Sequence, residues 1–166
     1  MKIFVTGNPG CGKTTLIKEI ATSLKESNIS LSGFITEATK KANIRTGFEI
    51  LDLKTSEKKV FASTENVTQH RFGKYYLNIS NFESIALKAF EGQGLILIDE
   101  IGKMEFYSTK FKSLLLENLS KDINIIAALH RDFVNDFKKY GKVFYLTREN
   151  FENTKKEILK IISSLI

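Results

Sequence analysis

The sequence predicts an α/β fold in which helices cover both faces of a mostly parallel sheet. Three observations support this prediction. An apolar strand near the start runs directly into a glycine-rich turn and an amphipathic helix. Helical and apolar strand patterns then alternate from residue 80 onwards. The run Leu95-Ile96-Leu97-Ile98 contains no polar residue, which is typical of a central parallel strand that is buried on both faces.

The elements of this sheet follow in order along the chain. Ile3-Phe4-Val5 forms the first strand, and residues 16–24 place apolar side chains at three- and four-residue spacing, which indicates a helix. Residues 31–36 form the second strand. The later strands are predicted at residues 95–98, 123–129 and 143–146. The later helices are predicted at residues 80–91, 108–119, 132–140 and 150–165, with Ser80 or Asn81 capping the first of them.

Residues 38–79 carry a different pattern, which predicts a β-rich insertion. Residues 47–53 and 58–63 alternate around a turn at residues 54–57, as expected for an antiparallel hairpin. Residues 75–79 add a further short strand. Because no linker-like stretch divides the chain, we expect residues 1–166 to form one domain.

The glycine-rich turn has the pattern of a phosphate-binding loop. Residues 7–14 read Gly-Asn-Pro-Gly-Cys-Gly-Lys-Thr, which matches G-x-x-x-x-G-K-[ST] between a strand and a helix. The glycines let backbone N–H groups approach phosphate oxygens, and the helix N-terminus favours the same anion. Lys13 is expected to reach the β- and γ-phosphates, and the Thr14 hydroxyl to ligate Mg²⁺. Cys11 fills a free position in the loop.

An acidic pair follows the buried strand at residues 95–98. Asp99 is expected at the carboxyl edge of the sheet, where it would hold Mg²⁺ opposite Thr14. Glu100 comes next, and a carboxylate there suits a general base that deprotonates a water in line with the γ-phosphate. This arrangement has the form of a Walker B element and favours hydrolysis over transfer.

The chain has only four arginines, too few for the arginine-rich lid of a small-molecule kinase. Arg131 and Arg148 follow strands that end at the active edge, so they are the candidates for an arginine finger. Arg45 and Arg71 lie in or beside the insertion. Two alternatives to hydrolysis stay open. One is a nucleotide or polynucleotide kinase, and the other is a nucleotide-dependent switch that binds RNA or a protein partner.

Composition limits the class of protein and its partners. The formal net charge is +6 and the isoelectric point about 9.3, but the basic residues are spread along the chain. This favours a polyphosphate site, with nucleic acid as a less favoured partner. One cysteine excludes a disulfide framework and suits a reducing compartment. Without a signal-peptide pattern or an apolar run of membrane-span length, we expect a cytoplasmic monomer with no membrane partner.

Four segments resemble a known family in order and spacing. They read GNPGCGKTTL from Gly7, GFITE from Gly33, RTGF from Arg45 and DEIGKME from Asp99. Together they resemble the THEP-type nucleoside-triphosphatases, also called cancer-related nucleoside triphosphatases. The resemblance implies a RecA-like or AAA-type P-loop core. It also implies Mg²⁺-dependent hydrolysis of ATP, GTP, CTP and UTP to diphosphate and phosphate, with broad base selectivity.

The resemblance also implies which residues contact the nucleotide. They are Gly7, Asn8, Pro9, Gly10, Cys11, Gly12, Lys13, Thr14 and Thr15 in the loop, and Leu95, Ile96, Leu97, Ile98, Asp99, Glu100, Ile101 and Gly102 in the acidic segment. Lys103 and Glu105 would lie beside the γ-phosphate, so Lys103 joins Lys13 and Glu100 as a candidate catalytic residue. The chain departs from the family pattern at Tyr76, usually glycine, and at Phe151, usually arginine. Any nucleotide contact made by that arginine is then either absent here or made by Arg148.

Overall fold

A computed structural model describes residues 1–165 of the chain. Nine strands form one sheet, in the spatial order β5-β6-β4-β3-β2-β7-β8-β1-β9. The strands are β1 Lys2–Thr6, β2 Leu31–Lys41, β3 Ile44–Asp52, β4 Lys58–Ser63, β5 His70–Phe72, β6 Tyr75–Leu77, β7 Leu95–Ile101, β8 Asn124–Leu129 and β9 Lys142–Tyr145. The helices are α1 Lys13–Glu26, α2 Ile79–Ala86, α3 Thr109–Leu119, α4 Val134–Phe137 and α5 Phe151–Ser163.

The sheet has a parallel half and an antiparallel half. Strands β2, β7, β8, β1 and β9 pair in parallel, whereas β3, β4, β6 and β5 continue the sheet in antiparallel order beyond β2. The predicted parallel α/β sheet with a β-rich insertion is therefore confirmed. None of the described helices is long and apolar enough to cross a membrane.

Helices cover the parallel half from both sides because its central strand is apolar on both faces. Along β7, Leu95 and Leu97 join the apolar core beneath α1 and α5, while Ile96 and Ile98 join the core beneath α2 and α3. This alternation is the period of two that a strand imposes on its side chains. The unbroken apolar run that predicted a central strand thus fills two cores at once.

The second strand is five residues longer than the predicted range 31–36 and pairs with β3 in a projecting ribbon. Its tight turn has left-handed backbone at Ala42 (φ 49°) and Asn43 (φ 62°), as in the turns that favour two-residue hairpins. The pairing of β2 with β7 ends at Ile35 opposite Asp99, so the rest of β2 extends past the end of β7. We name residues 37–48 the ribbon.

The secondary structure differs from the sequence-based prediction in three other details. The strand β5 was not predicted, since its three residues are too short to show a pattern. The helix α2 is capped by Asn78, whose side chain accepts a hydrogen bond from the Asn81 N–H at 2.9 Å, and not by Ser80 or Asn81. The helix predicted at residues 132–140 is a 3₁₀ turn followed by the single turn α4.

Candidate active site

A cavity of about 670 Å³ opens between the phosphate-binding loop, the end of β7, the turn after β8 and the ribbon. Parallel α/β sheets commonly bind ligands at this carboxyl edge of their strands. Most of the predicted loop residues line the cavity, together with both acidic residues and one candidate arginine. They are Gly7, Pro9, Gly10, Gly12, Lys13, Thr14, Thr15, Asp99, Glu100 and Arg131. Candidates from three distant segments therefore share one site.

The phosphate-binding loop depends on close backbone packing. A Cβ atom on Gly7 would lie 2.6 Å from the Leu146 carbonyl oxygen and 2.7 Å from Cys11 Sγ. Gly12 has φ of 105°, a left-handed conformation that residues with a Cβ disfavour, and it immediately precedes the helical residue Lys13. The N-terminus of α1, with its unpaired N–H groups, therefore meets a cavity suited to an anion.

Phe151, at the position where the resembled family has arginine, packs against the loop. A Cβ on Gly12 would lie 3.3 Å from its ring. Phe151 and Cys11 are both partly buried against the apolar core beneath α1, and neither lines the cavity. Position 151 thus contributes packing under the loop, where an arginine would contribute charge.

Asp99 has the surroundings of a metal ligand. Its side chain is 2% exposed, and its Oδ2 atom finds no hydrogen-bond partner within residues 1–165. Burial raises the pKa of this carboxyl from 3.8 to about 7, and the Glu100 charge acts in the same direction. The nearby Thr14 hydroxyl and the charge of Lys13 act in the opposite direction and favour the carboxylate. A buried, unpartnered carboxylate oxygen beside a hydroxyl fits a hard divalent cation such as Mg²⁺.

Two further carboxyl groups lie side by side at this edge. A Cβ on Gly102 would lie 2.6 Å from Glu105 Oε2 and 2.8 Å from Glu100 Oε1. Burial raises the pKa of Glu100, whereas the charges of Lys13 and His130 lower it. Burial, followed by the Glu100 charge, raises the pKa of Glu105 well above its ordinary value. The environment therefore favours a proton on Glu105 and leaves Glu100 as the acid that nearby cations help to ionise.

Lys103 does not line the cavity. Its Nζ atom lies 2.6 Å from Asp132 Oδ2, and both side chains are about half exposed. Asp132 lies in the 3₁₀ turn after β8, and its ion pair with Lys103 keeps the lysine side chain at the rim of the cavity. The structure therefore separates Lys103 from Lys13 and Glu100, with which it was grouped from the sequence.

The candidate arginines lie on different sides of the loop. Arg131 lines the cavity, and its Nη1 atom donates to Asn8 Oδ1 at 3.4 Å. Arg148 lies instead in a separate surface depression beside Asn8 and Cys11. Arg45, which the sequence placed in the insertion without a role, lines the main cavity.

Several predicted contact residues face elsewhere. The apolar side chains of β7 fill the two cores, so they position Asp99 but offer the cavity no side chain. These are Leu95, Ile96, Leu97, Ile98 and Ile101. Conversely, the cavity includes Lys18, Thr36, Glu37, Ala38, Phe48, Met104, Glu105 and His130, most of which had no role assigned from the sequence. His130 directly follows β8, and that position is the signal that could have identified it.

Asp99 is expected to make the metal-free protein lose stability as the pH rises from about 3.8 to about 7, where the loss is complete. Asp99 binds its proton more tightly in the fold, where its pKa is about 7, than in the unfolded chain at 3.8. The resulting stabilisation is fully present below pH 3.8 and falls by about 4 kcal/mol once Asp99 ionises in the fold. Chemical denaturation in a chelator across this pH range measures it. Asp99→Asn should reduce the dependence, and an unchanged profile in that variant would contradict the assignment to Asp99.

Comparison with known proteins agrees with the site. Residues 2–159 match the model of a family described as NTPase. The nucleoside-triphosphatase THEP1 of Methanocaldococcus jannaschii is 40% identical over 170 residues, an alignment that covers 99% of each chain.

Two solved structures share the fold. A crystal structure of THEP1 from Aquifex aeolicus aligns with a TM-score of 0.83 and 33% identity, over 97% of this chain and 98% of that one. The solution structure of a human cancer-related nucleoside triphosphatase aligns with a TM-score of 0.82 and 28% identity, over 98% and 97%. These matches confirm the predicted P-loop fold class and the predicted resemblance. The chain therefore belongs to the NTPase family that includes the THEP1 nucleoside-triphosphatases.

Proposed function

We propose that this enzyme hydrolyses nucleoside 5′-triphosphates to diphosphate and phosphate, depends on Mg²⁺, and selects little among ATP, GTP, CTP and UTP. The observation that carries the proposal is the convergence of Lys13, Asp99 and Glu100 on one cavity. The names of the THEP1 relatives support the reaction class. The geometry of the cavity supports the assignment of roles to residues.

Each proposed role follows from the chemistry of the side chain. The loop N–H groups and the Lys13 ammonium bind the β- and γ-phosphates. The Thr14 hydroxyl and the Asp99 carboxylate would hold Mg²⁺, which when bound neutralises negative charge on the phosphates. Glu100, partly buried and close to Asp99, accepts the proton of the attacking water.

In the proposed step, the water oxygen forms a bond to the γ-phosphorus. The bond from that phosphorus to the oxygen bridging it to the β-phosphorus breaks, and its electron pair stays on the diphosphate. The water proton passes to Glu100 and then leaves with solvent. Lys13 stabilises the charge that builds up on the transferring phosphoryl group.

Low base selectivity is supported by where the binding groups lie. The cavity offers loop backbone and Lys13 to the polyphosphate, the Asp99 carboxylate would hold the Mg²⁺ bound to it, and the sequence has no base-reading N-K-x-D motif. Binding energy directed at phosphates is common to every triphosphate. The cytoplasmic location and the monomeric state stay predictions.

A phosphate-release panel tests the proposal. ATP, GTP, CTP, UTP and the matching diphosphates are each assayed with Mg²⁺ and with a chelator. Similar release from all four triphosphates, only with Mg²⁺ and not from diphosphates, is the expected result. Release confined to one base would contradict broad selectivity. Transfer of labelled γ-phosphate to a nucleoside or to a 5′-hydroxyl end, without release in its absence, would instead identify a kinase.

A further inference from the structure

Arg45 lines the same cavity as Lys13 and Glu100, although it lies on the ribbon and far from both in sequence. It pairs with Lys40 across the ribbon, next to a register shift between Thr39 and Lys40. Because this part of β2 extends past its last pairing with β7 at Asp99, the ribbon forms the wall of the cavity that faces the phosphate-binding loop. Arg45 therefore presents a cation to the same cavity as Lys13, from a different element of the fold.

The guanidinium of Arg45 is not neutralised by the protein. It lies 5.4 Å from the centre of the Phe48 ring and forms no ion pair with a carboxylate of residues 1–165. The neighbouring cation Lys18 is paired with Glu37 at 2.7 Å. An arginine placed over an aromatic face keeps its N–H donors free, so Arg45 has its hydrogen-bonding capacity available for an anion.

The backbone around Arg45 is fixed from two sides. Lys74 Nζ donates to the Arg45 carbonyl oxygen at 3.0 Å. A Cβ on Gly47 would lie 2.1 Å from the Ala62 carbonyl oxygen, so β3 and β4 pack closely within the ribbon, two residues from Arg45. These contacts fix the backbone of Arg45, and its exposed side chain contacts the Phe48 ring at the cavity wall. A cation carried on a fixed backbone loses less freedom when it binds an anion.

We propose that Arg45 is a catalytic residue that contacts the γ-phosphate oxygens and stabilises them as the phosphoryl group is transferred to water. This inference rests on the proposed triphosphate hydrolysis. In that step charge spreads over the three equatorial oxygens of the γ-phosphoryl group. Lys13 meets these oxygens from the loop, and Arg45 meets them from the ribbon. Arg45 is thus a second cavity-lining arginine beside Arg131, which the sequence proposed as an arginine finger, whereas Arg148 lies outside the cavity.

The chain offers a matched control in Arg71. It also lies in the β-rich insertion, and its guanidinium sits 5.5 Å from the centre of the Tyr76 ring, but it does not line the cavity. We expect Arg45→Ala to lower turnover by about 10²-fold or more, Arg45→Lys to recover part of the loss, and Arg71→Ala to match the wild type. Phosphate release at saturating Mg²⁺–ATP measures turnover.

Binding measurements separate a γ-phosphate contact from a structural effect. Arg45→Ala should weaken binding of a triphosphate analogue with an imido bridge between the β- and γ-phosphorus, and leave binding of ADP close to wild type. Wild-type turnover in Arg45→Ala would overturn the proposal. An equal loss of affinity for the analogue and for ADP would also overturn it, because the contact would then lie away from the γ-phosphate.

The role of Arg45 can still be tested if the alanine variant fails to fold or if the wild type does not hydrolyse triphosphates. Thermal unfolding shows whether Arg45→Ala is folded. If it is not, the affinities for the analogue and for ADP are compared in Arg45→Lys and Arg45→Gln instead. If the wild type releases no phosphate from any triphosphate, the proposed hydrolysis fails. In that case the affinity for the analogue divided by the affinity for ADP still tests the Arg45 contact. If this ratio is the same in the Arg45 variant and in the wild type, the contact is rejected.

Discussion

Replacement of Glu100 by glutamine is expected to lower turnover by about 10²-fold or more, with little change in nucleotide affinity. Glutamine keeps the size and one hydrogen-bonding oxygen of the side chain but cannot accept the water proton. The groups proposed to bind phosphate, Lys13 and the loop N–H groups, are untouched by this change. Turnover is measured by phosphate release, and affinity by titration with a fluorescent triphosphate analogue.

The burial of Glu100 allows an effect on catalysis to be distinguished from an effect on stability. Because burial raises the pKa of its carboxyl, Glu100→Gln should not destabilise the metal-free protein, so lost activity could not be explained by unfolding. Glu117, an exposed residue of α3 paired with Lys121, offers a matched control, and Glu117→Gln should behave as the wild type. Near-native turnover in Glu100→Gln would rule out the general-base assignment.

Replacement of Lys13 by alanine is expected to weaken binding and turnover together. The ammonium lies in the first turn of α1 and donates at 3.4 Å to the Gly7 carbonyl oxygen, a weak contact that a phosphate oxygen would readily replace. A charged hydrogen bond of this kind contributes about 1.5–3 kcal/mol, so affinity should fall about 10- to 150-fold. Turnover should fall further, because charge on the phosphates grows in the transition state.

Lys25 provides the control for this second prediction. It lies on the same helix as Lys13, but in the last turn and away from the cavity. Lys25→Ala should leave affinity and turnover unchanged. If Lys13→Ala bound triphosphate as tightly as wild type, the loop would not be using its lysine for phosphate. A loss seen equally in Lys25→Ala would indicate a general effect of positive charge on α1.

Much of the fold was predictable because its signals are local. In β7 and α1 the pattern of apolar residues within the segment itself indicates which faces are buried. The parallel half of the sheet was therefore predicted well. The ribbon was not, because its tight turn at Ala42 and Asn43 has no glycine to mark it. The predicted strand therefore stopped at residue 36, and the wall of the cavity was missing from the sequence-based picture.

The sequence by itself determined the phosphate-binding loop and the acidic pair of Asp99 and Glu100. Both motifs combine a buried strand with the polar residues at its end, so their placement at the carboxyl edge follows from chain direction alone.

Only the tertiary structure decided which other charges share that site. Lys103 is drawn to the rim by Asp132, Arg148 lies on the outer side of the loop, and Arg45 reaches the cavity through the ribbon. Each of these outcomes depends on pairing between segments distant in sequence. The spacing of residues along the chain does not predict such pairing.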